Sequence, residues 1–178
     1  MPGGGEVQEK SGRKTGASAR GAARLMAVQA LYQMDIRRGS AEATVLEFIQ
    51  HRSEEADTEE DMAGPRDADK ALFADLVRGV ARDRSEIDAV LNGCLDGGST
   101  MERLEPLLRA IMGAGAYELR SRTDIPARVS ISEYVHLTDA FFDGKEPGLV
   151  NAVLDRLAKI LRTDETGTPD RAEDGDGH

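Results

Sequence analysis

The chain has 178 residues, of which 31% are charged and 4% aromatic, with no Trp and a formal net charge of -10. That length suits one ordinary domain, or two small subdomains sharing a core, and excludes a string of independent domains. No run of about 18 apolar residues occurs, and Met1 to Gly16 lacks the apolar centre of a secretory signal, so the expectation is a cytoplasmic protein that neither spans nor binds a membrane. The single Cys94 cannot form an internal disulfide. His51, His136 and His178 are too scattered for a metal-ligand cluster, so no metal and no cofactor is expected.

A net negative chain repels phosphate, yet the charge is unevenly spread. Residues 1–38 hold seven basic side chains (Lys10, Arg13, Lys14, Arg20, Arg24, Arg37, Arg38) against three acidic ones, a local net of +4. The remainder holds 16 basic and 30 acidic residues, a net of -14. This asymmetry is compatible with an anion-binding N-terminal face on an otherwise repulsive surface. Arg13 and Lys14 are RNA-binding candidates on charge alone.

In chain order, residues 1–17 are Gly-, Ser- and Lys-rich with almost no large apolar side chain, which predicts a disordered basic arm. The first helix is expected from about Ser18 to Ile36, with Gly39 available to end it. Ala23, Ala27, Ala30 and Met34 form one apolar strip, and Leu25, Val28 and Tyr32 form a second. Gln29 and Gln33 lie on a narrow polar strip between them. A helix apolar on two sides packs against more than one neighbour, or presents one side to a partner. Arg20 and Arg24 stand at i and i+4 in its first turns, as a pair of anion ligands or as an ordinary solvated helix start. Tyr32 reads equally as a core aromatic and as a ring for a partner's groove.

A second helix is expected over about residues 41–54, an acidic loop over 55–65, a third helix over 67–82 and a fourth over 84–94, with a break at Gly97-Gly98-Ser99. A subdomain boundary is placed between the third and fourth helices. The fifth helix begins at Pro106, where a missing N–H costs nothing, and is apolar on nearly all sides through Leu119, which makes it the centre of its subdomain. The sixth is expected to open at Ser130, through the capping-box pattern Ser130-Ile131-Ser132-Glu133. The seventh carries Val150, Val153, Leu154, Leu157 and Leu161 at core spacing, and Asn151 is read as a buried amide bonded to neighbouring backbone. Residues 163–178 are acidic and expected to be disordered. The fold class is therefore all-α, about seven helices in two packed bundles, with subdomains over 18–83 and 84–162. Glu118, Glu133 and Asp155 lack a nearby nucleophile or metal set and are read as structural.

Three segments, in order, resemble the NusB family: Ala23 to Gln33, in the pattern Arg followed by Ala-Val-Gln-Ala-Leu-Tyr; Arg109 to Leu119 with Thr123 to Pro126 and Ile131 to Tyr134; and Leu149 to Asp155. The resemblance covers roughly residues 18–162. It implies two helical bundles and a non-catalytic role in transcription antitermination within the elongation complex. It further implies pairing with the ribosomal protein NusE and binding to the single-stranded boxA element of ribosomal RNA transcripts. It places RNA contact on Arg20 and Arg24, and the NusE contact near Tyr32. Many relatives carry Glu at the position of Leu108 and Arg at that of Gly113, so contacts made there do not transfer. Two competing readings are an RNA-binding domain related to RNA cytosine methyltransferases, although no Gly-rich cofactor loop or catalytic Cys motif is visible, and a structural homodimer formed through the second apolar side of the first helix.

Overall fold

The computed structural model describes residues 11–56 and 68–166, with side chains over 19–52 and 68–165. Among the described residues all regular structure is helical: α1 (Ser11–Arg37), α2 (Ala41–Ala56), α3 (Lys70–Arg82), α4 (Arg84–Cys94), α5 (Pro106–Ser121), α6 (Ala127–Phe141), α7 (Glu146–Leu161) and the single turn α8 (Thr163–Thr166), with a 3-10 turn at Met101–Arg103 before α5. The chain divides into two compact units at Arg82 and Asp83.

In the first unit, α1 packs on α3 and α2. It starts at Ser11, ahead of the expected Ser18, and it ends at Arg38 rather than through Gly39, because Arg38 itself takes the left-handed conformation (φ 54°) that turns the chain out of the helix. Ser40 then caps α2, its Oγ accepting from the Ala43 N–H at 3.2 Å, and Asp69 caps α3, its Oδ1 accepting from the Leu72 N–H at 2.9 Å. The core gathers Ala23, Met26, Ala27, Ala30 and Leu31 of α1 with Val45 of α2 and Leu72, Phe73, Leu76 and Val77 of α3.

The second unit is built around α5, whose residues from Ala110 to Leu119 are all buried; α4, α6 and α7 pack on it. Gly115 makes this possible. A Cβ there would stand 2.8 Å from Leu154 Cδ1 of α7 and 3.3 Å from Tyr134 Cδ2 of α6, so these side chains occupy the space a methyl would need. Leu108 and Gly113, the two positions that depart from the family pattern, are buried as well. Gly97 and Gly98 (φ 67° and 74°) shape the turn after α4, and Asn92 fastens it by accepting from the Met101 N–H at 2.7 Å.

Several sequence expectations are corrected. Helix α6 begins at Ala127, one turn before the expected Ser130, because Pro126 sets the entry and its carbonyl already accepts from the N–H groups of Val129 and Ser130. Ser130 is therefore no cap; its hydroxyl is buried and donates to Glu118 Oε1 at 2.8 Å, beside a second 2.8 Å bond from the Tyr134 hydroxyl to Oε2. Asn151 is exposed rather than buried. The α7 core stripe stops at Leu157 and Ala158; Leu161 is 39% exposed, and the next residue, Arg162, is the one that is buried. The chain also stays ordered beyond Arg162 for the turn α8, while residues 167–178 lie outside the described residues.

Candidate nucleic-acid interface

The predicted RNA and partner residues all fall on α1. Arg20 lies nearly three turns into α1 and is exposed. Arg24 is 3% exposed. The expectation that the two project together is thus corrected: one turn farther along, α1 has entered the core formed with α3, and the Arg24 side chain is enclosed there while that of Arg20 remains in solvent. Arg13 and Lys14 belong to the first turns of α1, but their side chains lie outside the described residues.

Tyr32 is 38% exposed and Ile36, one turn on, 59% exposed. With the half-buried Leu25 they lie at i, i+7 and i+11 along α1. Of the second apolar strip read from the sequence, Val28 is fully buried, Leu25 half-buried and Tyr32 exposed, so it does not stand apart from the core as one side.

The polar strip between the two apolar ones has a structural counterpart that the sequence did not announce. Gln29 and Gln33 form one wall of a cleft of about 340 Å³ between α1 and α2, over Met26. Phe48, His51 and Arg52 of α2 form the facing wall, with Glu47 at its edge. The Phe48 ring stacks on Phe73 of the core (centroids 5.9 Å apart, planes at 29°), which fixes it in place. Glu47 Oε1 lies 3.7 Å from Arg37 Nη1, an exposed pair that softens its charge. The sequence carried one signal for this cleft, two carboxamides one turn apart amid apolar residues, and gave no sign that α2 would face them.

Elsewhere in this unit, Arg78 forms a bidentate pair with Glu42 (2.9 and 2.7 Å), which lowers the Glu42 carboxyl below its usual range. That cation is thereby committed to a carboxylate.

The architecture recurs in known proteins. The NusB family model matches residues 21–159. The chain is 46% identical over 164 residues to the transcription antitermination protein NusB of Bradyrhizobium sp. (strain ORS 278), covering 92% of this chain and 94% of that one. It is 48% identical over 149 residues to the protein of the same name from Rhodopseudomonas palustris (strain HaA2), covering 84% and 86%. Among solved structures it resembles T. maritima NusB with a TM-score of 0.67 at 26% identity, over 82% of this chain and 95% of that one. It also resembles antitermination factor NusB in a complex with NusE and dsRNA, with a TM-score of 0.62 at 26% identity, over 80% and 97%. A helical chain that shares nearly half its residues with these relatives along almost their whole length belongs to the NusB family.

Proposed function

We propose that the chain is a non-catalytic RNA-binding adaptor of transcription antitermination, acting in the cytoplasm within the transcription elongation complex. Together with a NusE ribosomal protein it binds the boxA element of ribosomal RNA transcripts. The observation that carries this reading is the 46% identity, over 94% of its length, to a relative named as a transcription antitermination protein. The fold shared with a NusB solved beside NusE and dsRNA supports the choice of partners.

Within that reading the residues take distinct roles. Arg20, exposed in the N-terminal half of α1, neutralises RNA phosphate, and Arg13 and Lys14 extend the same basic segment of the sequence. Arg24, enclosed in the core, supports the helix from within and is not a direct phosphate ligand. Tyr32 and Ile36 offer an apolar stripe to the protein partner. Neither a methyltransferase role nor a homodimer draws support from a specific feature of the described residues.

The test is size-exclusion chromatography of the full chain with NusE and a boxA oligonucleotide. Co-elution of all three is expected. Elution of the chain apart from both NusE and RNA contradicts the reading.

A further inference from the structure

The cleft between α1 and α2 belongs to no role assigned above, and its lining is chemically specific. Five of its seven lining residues are polar or charged, namely Gln29, Gln33, Glu47, His51 and Arg52. Pockets that take an apolar side chain or a drug-like ligand are lined mainly by hydrophobic groups. This one instead offers amide donors and acceptors around one fixed aromatic ring. Its volume of about 340 Å³ lies at the small end of the range for ligand sites, roughly 300 to 1,000 Å³, a space for one nucleoside and not for a folded strand.

Given the RNA-binding role proposed above, on which this step rests, we propose that the cleft takes a single unpaired nucleobase of the bound RNA. Single-stranded RNA is read by splaying bases out, stacking them on aromatic rings and hydrogen-bonding their edges. Each of these needs has a named counterpart. Phe48 supplies the ring, held by Phe73 behind it. Gln29 and Gln33, one turn apart on the same wall, supply carboxamides that pair with base edges through two bonds at once. Arg52 supplies a cation for an adjoining phosphate. Glu47 supplies an acceptor that suits an exocyclic amine, so the base is adenine, cytosine or guanine in preference to uracil. A paired base has its edge occupied and its faces stacked, so duplex RNA does not enter the cleft.

The site is separate from Arg20. Gln29 follows Arg20 by nine residues, about two and a half turns, which sets the two on opposite sides of α1 and about 13 Å apart along its axis. Mutation therefore separates strand affinity from base reading.

The experiment measures binding of single-stranded boxA RNA to the full chain with NusE, using fluorescence anisotropy, with each nucleotide in turn replaced by an abasic one. One abasic position is expected to weaken binding about ten-fold more than its neighbours, the scale of one bidentate base contact, and uracil at that position should behave like the abasic site. The double variant Gln29→Ala, Gln33→Ala should lose about the same ten-fold on intact RNA and show no further loss at that position. The near-isosteric pair Gln29→Met, Gln33→Met, which keeps the helix surface, should behave alike. Two results overturn the proposal and leave the adaptor role standing: variants that bind every RNA as the parent does while Arg20→Ala weakens them all, or variants that weaken NusE binding without RNA, which would assign the cleft to a protein side chain. Absence of RNA binding by the parent chain with NusE overturns the adaptor role and this site together.

Discussion

At the junction of α5 and α6, one arginine and one glutamate do the capping that the two helices do not do for themselves. The Arg162 side chain is 4% exposed, and its guanidinium donates to the carbonyls of Leu119 (2.8 Å), Ile125 (2.5 Å), Arg122 (2.7 Å) and Glu118 (3.3 Å). These are carbonyls at the C-terminal end of α5 and in the loop that follows, where a helix has unsatisfied acceptors and a partial negative charge. Glu165, in α8, accepts from the first N–H of α6, that of Ala127, at 2.8 Å and pairs with Arg162 at 2.9 Å. One carboxylate thus serves the positive end of one helix and holds the cation that serves the negative end of the other. The Ala127 N–H, with Arg162 behind it, holds the Glu165 carboxyl below its usual range. Because the folded value lies below the unfolded one, the stabilisation is present at neutral pH and is lost as pH falls below about 4.5. Acid unfolding followed by circular dichroism should be less steep below that pH in Glu165→Gln than in the parent, and identical slopes would show that the contact does not contribute. None of this was legible in the sequence. The residues stand more than thirty positions apart, and the acidic composition after Thr163 reads as solvated chain.

At the scale of the element, periodicity carried most of what is true. The central place of α5 and the core stripe of α7 as far as Leu157 follow from the placement of apolar residues, because burial of one face is what holds a helix to its neighbours. Local motifs did less well. Ser130-Ile131-Ser132-Glu133 has the pattern of a capping box, yet Pro126 starts the helix one turn earlier and Ser130 serves Glu118 instead. The buried carboxyl of Glu118, with its two hydroxyl donors, is a tertiary solution that no local pattern records. Gly115 was legible as a small residue but not as the place that Leu154 and Tyr134 fill. Gly115→Val sets two methyls against Leu154 and Tyr134 in a packed core, and the expected cost is about 3 kcal/mol, read as a lower midpoint in urea at unchanged slope. An unchanged midpoint would mean that α6 and α7 do not press on α5 at this residue.

The candidate site was legible in part, and the reason lies in the whole molecule's charge. A net of -10 repels polyanions at long range, so RNA binding depends on a local cationic segment acting within about one Debye length, roughly 8 Å at physiological salt. The sequence offers such a segment at the start of the chain, and the proposal assigns it to α1. It could not tell Arg20 from Arg24, because which of two arginines one turn apart enters the core depends on where α3 meets α1, and that is decided by residues some fifty positions away. Nor could it reveal the cleft, whose second wall comes from α2. The charge argument has a direct consequence for binding: each phosphate neutralised by an arginine releases counterions and steepens the dependence of affinity on salt. The decisive measurement is the slope of log K against log salt concentration for boxA RNA binding to the chain with NusE, compared with Arg20→Ala. The account predicts weaker binding to every RNA and a slope shallower by about 0.7, the value for one phosphate contact on a single strand. An Arg20→Ala variant with the parent's affinity and slope would contradict it.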